Sequence, residues 1–292
     1  MKTEVKKIDG TKREINVEVS GEIIKNKFDA VFEKIGKEAK VPGFRQGHVP
    51  RDILEKNFSS YAYELALKEL LPDIYAQAIE KENLEVVELP HITDVKLDRN
   101  TLSFKATVEV APDINLKGYK KIRVNYKNIE VTPEEVNRNI DALKEKRKID
   151  SLDDYFARSL GYHNIQALQK AVETQIFINK DNQQRIRIEK EIIDSITDGV
   201  DFKIPQSLVN RQLEDLLRQS KIDLALKGVP KEKIDEQEDV MRKQLEPEAI
   251  RQVRVYLILT EIAKRENIPL DDNMTQRVME FLLREADWQE TN

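Results

Sequence analysis

The residues of this chain whose types and spacing point to chemistry are Phe44 and Arg45, set inside Val41-Pro42-Gly43-Phe44-Arg45-Gln46-Gly47-His48-Val49-Pro50. Two glycines and two prolines in ten residues mark a loop. An aromatic ring and a guanidinium held between Gly43 and Gly47 stand out from a tight turn. The chemistry on offer is recognition rather than bond making, because loops on a rigid scaffold are where binding residues concentrate. A competing reading, of equal weight on these residues alone, is an interhelical turn with Phe44 folded into the core as a packing anchor.

The usual catalytic constellations are missing. His48, His91 and His163 are far apart with no ligand spacing, and cysteine is absent, so neither a tetrahedral metal site nor a thiolate nucleophile is indicated. None of the nine glycines opens a phosphate loop or a dinucleotide fingerprint. The many carboxylate pairs lie in Glu- and Lys-rich helical stretches and read as surface charge. No cofactor and no metal are expected.

Composition points the same way. Charged residues make up 35% and aromatics 6% of the 292 residues at a mean hydropathy of -0.60, which suits a protein with much helical surface. An apolar share of 39% at regular spacing can still offset the entropy of ordering. The start, Met1 to Gly10, is polar, and the apolar run Val255 to Leu259 is too short to span a bilayer, so a cytoplasmic location is expected. Only residues 113–150 are net basic, with 10 Lys/Arg against 7 Asp/Glu. Their Lys144-Glu145-Lys146-Arg147-Lys148 run reads first as a solvated helix end and second as a neighbour of RNA phosphates.

The elements that must position the loop follow from periodicity. Val5 to Ile8 and Thr11 to Val19 flank Asp9-Gly10, the signal for a two-residue type I′ turn, and Ile15, Val17 and Val19 alternate with polar residues. Ile24, Phe28, Val31, Phe32 and Ile35 then share one helical face. Beyond the loop a helical pattern runs to about Glu82 with Leu67, Leu70, Leu71, Ile74 and Ala78, where Pro72 is the expected bend. A second hairpin, Thr93 to Leu97 and Leu102 to Val110 about Asp98-Arg99-Asn100, completes an α+β domain over 1–112.

Ala111 to Glu130 reads as an extended connector. Thr132-Pro133-Glu134-Glu135 opens a helix by N-cap, first-turn proline and capping box. Val136, Ile140 and Leu143 make a narrow stripe amid charge, which predicts an arm within 113–150. From 151 to 292 the pattern is helical. Ile186, Ile193 and Ile196 share a face up to Gly199, and a helix follows Ile204-Pro205 with Val209, Leu213, Leu216 and Leu217. After Gly228-Val229-Pro230 come a charged helix over about Lys231 to Glu246 and an apolar one from Ile250 to Ile262.

Gly43-Phe44-Arg45-Gln46-Gly47-His48-Val49-Pro50 resembles the G-F-R-x-G-x-x-P signature of the bacterial trigger factor family, and it stands between helices of an N-terminal α+β domain as that family requires. The opening hairpin, Ala111-Pro112, Thr132-Pro133-Glu134-Glu135 and Ile204-Pro205-Gln206-Ser207-Leu208-Val209 are similar too. The resemblance implies an ATP-independent, ribosome-associated chaperone of elongated multidomain build: a ribosome-binding domain, an arm and a mostly helical body. It implies that Gly43, Phe44, Arg45, Gln46, Gly47 and Pro50 meet a ribosomal protein beside the tunnel exit, with rRNA nearby. Phe44 would give apolar contact and Arg45 a charge-assisted hydrogen bond. Gln46 stands where the family often has lysine, so lower or more salt-tolerant affinity is expected.

Family members usually carry an isomerase domain between arm and body. Here only 14 residues, 150–163, stand before the helix around Leu168, too few for a domain of roughly 50 or more. Peptidyl-prolyl isomerase activity therefore rests on the family name alone. A ribosome-independent holdase or assembly factor is the other rival. The expected client surface for nascent or unfolded polypeptides is Val136, Ile140, Leu143, Leu213, Leu217 and Leu224, with no membrane partner and a weak homodimer when free.

Overall fold

The computed structural model describes residues 1–147 and 152–291. The boundary expected at 150/151, Lys148 of the basic run and the first part of the 150–163 stretch lie outside the described residues. The chain divides into two compact units, each discontinuous: 1–113 with 201–254, and 114–200 with 255–292. The stretch expected as one helical domain over 151–292 thus contributes residues to both units. Its middle third belongs with the N-terminal unit, because residues near 203 and 207 bond to the sheet.

In the first unit β1 (Lys2–Lys7), β2 (Lys12–Ser20), β3 (His91–Leu97) and β4 (Thr101–Glu109) form an antiparallel sheet in the order β1-β2-β4-β3. Ile15, Val17 and Val19 of β2 and Leu102, Phe104, Ala106 and Val108 of β4 point to one side and are buried. On that side lie α1 (Glu22–Glu38), with its expected face of Ile24, Phe28, Val31, Phe32 and Ile35 buried, and α2 (Arg51–Lys81). α2 meets the core through Ala62, Ala66, Leu70, Ile74 and Ala78, and the three alanines bring its backbone close. Its break falls at Phe58 (φ -121°, ψ 17°) and not at the expected Pro72, so residues 51–57 form a short helix of their own.

The first hairpin differs from a type I′ turn: Gly10 is not among the glycines with positive φ. Four residues link the strands, and the Asp9 carboxylate closes them by accepting from the Thr11 and Lys12 backbone N–H, each at 2.8 Å. The same carboxylate accepts from Lys203 Nζ at 2.6 Å. α6 (Gln206–Leu226) begins at Pro205, which supplies no side-chain cap, and Glu109 of β4 takes that role. It accepts from the Ser207 N–H at 2.9 Å and the Ser207 hydroxyl at 2.5 Å. α7 (Lys231–Glu236) follows, and α8 (Glu238–Arg265) continues through Pro247 as one helix instead of the charged and apolar pair expected. Arg242 to Glu214 at 2.7 Å and Gln212 to Gln252 at 2.7 Å tie α8 to α6.

In the second unit the stretch expected as a connector is held in place. Arg265 donates to the carbonyls of Leu116 and Ile114 at 2.9 and 3.0 Å, and Tyr119 and Lys120 both reach Glu266. It also contains β5 (Arg123–Tyr126), which pairs in parallel with β6 (Asp287–Glu290). α3 (Pro133–Arg147) starts with the capping box in both directions, Thr132 N–H to Glu135 at 3.0 Å and Glu135 N–H to Thr132 Oγ1 at 3.3 Å. α4 (Asp154–Ser159), α5 (Ile165–Thr197) and α9 (Met274–Glu285) complete the unit. On α5 the buried residues are Leu168, Ile188, Ile192 and Ile196, while Ile186, expected to share that face, is 66% exposed.

Lys203 first, then the Thr11 and Lys12 amides, hold the Asp9 carboxyl well below the usual carboxylate range. A lowered folded-state pKa contributes stability above the unfolded value, and that contribution is lost as pH falls. Asp9→Asn keeps the turn acceptor but loses the ion pair. It should lower the melting midpoint modestly at neutral pH, and the gap from the parent should shrink from about pH 4 downward in a thermal melt series.

Candidate functional site

The loop between α1 and α2 is built from two successive turns. The Phe44 N–H donates to the Val41 carbonyl at 3.1 Å and the His48 N–H to the Arg45 carbonyl at 3.0 Å. Gly43 (φ 87°) and Gly47 (φ 80°) occupy the third position of each, the left-handed geometry of a type II turn that side chains resist. Pro42 at the second position pre-sets the first of them. Val41 and Val49 pack against the first unit's core and fasten both ends of the loop.

Between those anchors the loop is outside. Phe44 is 42% exposed, so the core-anchor alternative does not describe it. Arg45, Gln46, Gly47, His48 and Pro50 are exposed, and the Arg45 guanidinium has no partner among the described residues. Gln46 is engaged, its amide donating to the Lys37 carbonyl at 3.4 Å near the end of α1. The residue that departs from the family pattern thus holds the loop to its own scaffold. An exposed ring beside an unpaired guanidinium can take an apolar contact and an oxyanion together.

The expected client residues lie elsewhere and mostly inside. Val136 and Ile140 are buried with Phe156, Ala157 and Leu168, where α3 packs on α4 and α5, and Leu143 is partly buried beside them. Ile140 is 0% exposed, so the stripe expected as an arm's contact face is a core. Leu213 and Leu217 of α6 are buried too, and Leu224 is partly so. The narrow stripes mislead because a few aliphatic residues suffice when a partner helix covers them. Residues that sequence periodicity passed over are the open ones: Ile222, Leu226 and Val240 in the first unit, and Tyr155, Phe177 and Ile178 in the second.

His48, His91 and His163 are each exposed, and no group of three or more metal-ligating side chains gathers among the described residues. Nor is any described helix long and apolar enough to cross a membrane.

The chain thus joins an α+β sheet domain bearing an exposed loop to a largely helical remainder, and comparison with known proteins gives it a family. The family model described as "Bacterial trigger factor protein (TF)" matches residues 1–143, and "Bacterial trigger factor protein (TF) C-terminus" matches 164–291. The chain belongs to the bacterial trigger factor family, a family of ribosome-associated chaperones. The two matches leave only residues 144–163 between them, without the isomerase domain usual there.

Among the relatives, the trigger factor of Solibacter usitatus is 24% identical over 358 residues, covering 89% of this chain and 85% of its own. That span exceeds the present 292 residues, so the relative carries internal residues that this chain lacks. The Geobacillus kaustophilus trigger factor is 37% identical over 147 residues, 50% of this chain and 34% of its own. A solved structure, reported under the words "Promiscuous Substrate Recognition in Folding and Assembly Activities of the Trigger Factor Chaperone", has the same fold. Its TM-score is 0.58 at 13% identity, over 98% of this chain and all of that one.

Burial separates the two groups of apolar residues by stability. Ile140→Ala should cost about 2–5 kcal/mol in urea unfolding, as core truncations do. Leu226→Ala, at a side chain 82% exposed, should stay within about 0.5 kcal/mol.

Proposed function

We propose that this chain docks on the ribosome through Phe44 and Arg45 and shelters emerging polypeptide segments on exposed apolar side chains, without nucleotide and in the cytoplasm. The observation that carries the reading is the exposed Phe44 and unpartnered Arg45 on a loop whose glycines and anchoring valines leave them no place in the core. Gly43, Gln46, Gly47 and Pro50 shape and hold that loop, while Phe44 and Arg45 meet the partner. The partner is a ribosomal protein presenting a carboxylate beside an apolar patch, with rRNA phosphates close enough for exposed Lys40 and His48.

Client binding rests on Ile222, Leu226 and Val240 and on Tyr155, Phe177 and Ile178, with Leu143 and Leu224 at the margins. Each buries modest area at about 25 cal/mol per Å², so segments bind weakly and exchange fast. The surrounding charge keeps complexes dissolved. A weak homodimer of the free protein would use the same apolar residues. Prolyl isomerisation is no part of the function, since residues 144–163 offer no room for the domain that performs it.

Phe44→Ala with Arg45→Ala should weaken ribosome binding by at least about 30-fold, the loss of a hot spot of about 2 kcal/mol or more. Melting temperature should stay within a degree or two. Full co-sedimentation of the double variant with ribosomes would sink the docking assignment. In the same preparation, light scattering of an unfolding client should fall without ATP, and a protease-coupled Xaa-Pro assay should stay at its uncatalysed rate. A rate rising with protein concentration would overturn the non-enzymatic reading.

A further inference from the structure

We infer that Arg51 is a positioning residue for the docking loop: with Asp29 and Phe32 it clamps the short helix 51–57 to α1 and so sets how Phe44 and Arg45 are presented. The inference rests on the docking reading and adds to it residues that touch no partner.

The break at Phe58 is what makes a clamp necessary. A helix uninterrupted from Arg51 to Lys81 would carry the end of the loop on the rigid rod that lies along the sheet. Non-helical angles at Phe58 uncouple residues 51–57 from that rod, so their direction depends on side-chain ties. Three are present. Arg51 Nη2 donates to Asp29 of α1 at 2.9 Å while its Nε donates to Glu55 at 2.8 Å, and the guanidinium carbon sits 4.1 Å from the centre of the Phe32 ring. Arg99, in the β3–β4 turn, takes the other Glu55 oxygen at 2.6 Å. Leu54 is buried against Gly36 of α1, where an added Cβ would come within 3.1 Å of its Cδ1.

Arg51 follows Pro50 directly, so it is the first residue after the loop able to reach back to α1, the helix from which the loop departs. Its planar guanidinium is suited to the task. One face stacks on Phe32 while two edges donate to carboxylates on different helices, which an ammonium cannot do in a fixed direction. Both pairs are partly exposed, with Arg51 and Asp29 side chains at 39% and 71%, and such pairs add little to global stability. Their effect falls on a local orientation, and pre-ordering a binding segment raises affinity by removing a cost paid on association.

The test uses the full chain with ribosomes and three variants. Asp29→Asn and Arg51→Lys should each weaken ribosome binding about three- to fivefold, the scale of one exposed ion pair, mainly through faster dissociation, and Gly36→Ala, which crowds Leu54, should weaken it too. Melting temperature should hold. In the free protein, amide exchange of the 41–50 segment should quicken for all three, a change that a residue merely touching the ribosome would not produce. Unchanged binding with Arg51→Lys would overturn the proposal in favour of simple charge attraction. Unchanged or tighter binding with Asp29→Asn would do so in favour of direct contact by a freed Arg51. The Phe44→Ala, Arg45→Ala variant serves as control. If it binds ribosomes fully, the docking reading fails, and the exchange rates still decide whether the clamp holds the loop.

Discussion

The first unit depends on one constraint: a narrow antiparallel sheet must have its apolar face covered by two helices at once. β2 and β4 carry that face, and only seven of their side chains point into it. α1 covers it with Phe28, Phe32 and branched aliphatics, which leaves little depth for a second helix. α2 fits because alanine at 62, 66 and 78 lets its backbone approach, with Leu70 and Ile74 buried between Ala66 and Ala78. Leucine at Ala66 would force the helix off the sheet. Because both helices are fixed in this way, the loop that joins them has fixed ends, and its middle can be spent on recognition.

The sequence disclosed this architecture where a single element buries a full face. The α1 stripe, the alternation along β4 and the capping box at Thr132 to Glu135 could all be read, since each is decided by neighbours in the chain. The recognition loop was equally legible in its glycines and prolines, but whether Phe44 faced inward could not be, because that depends on Val41 and Val49 taking the two inward positions. What misled was partnership at a distance. Val136 and Ile140 look sparse until Phe156 and Leu168 close over them. Arg123 to Tyr126 looks like a connector until a strand some 160 residues later pairs with it. Ala62 and Ala66 of α2 gave no apolar signal, though both are fully buried.

Carboxylates do much of the joining that apolar contact does not. Asp9 closes its own hairpin and receives Lys203, and Glu109 caps a helix that begins nearly a hundred residues later. Glu55 links the first residues of α2 to the second hairpin, and Glu266 gathers Tyr119 and Lys120. In a chain with 35% charged residues most ion pairs are exposed and contribute little alone. These differ by taking backbone or multiple donors, which fixes direction as well as attraction. Gln46 fixes direction in a similar way, with its amide donating to the Lys37 carbonyl.

The return of residues 201–254 to the N-terminal unit has a consequence for the order in which the protein is made. Synthesis runs from the N-terminus, and domains fold as their residues become available. Sheet, both covering helices and recognition loop are all encoded before residue 113, so they leave the ribosome while Lys203 and Ser207 are still unwritten. The acceptors on Asp9 and Glu109 then wait, hydrated, for partners that arrive only after residues 114–200 of the second unit have been translated. Such late, sequence-distant closure is slow by its nature. The newborn molecule therefore completes its exposed loop before it has a finished body.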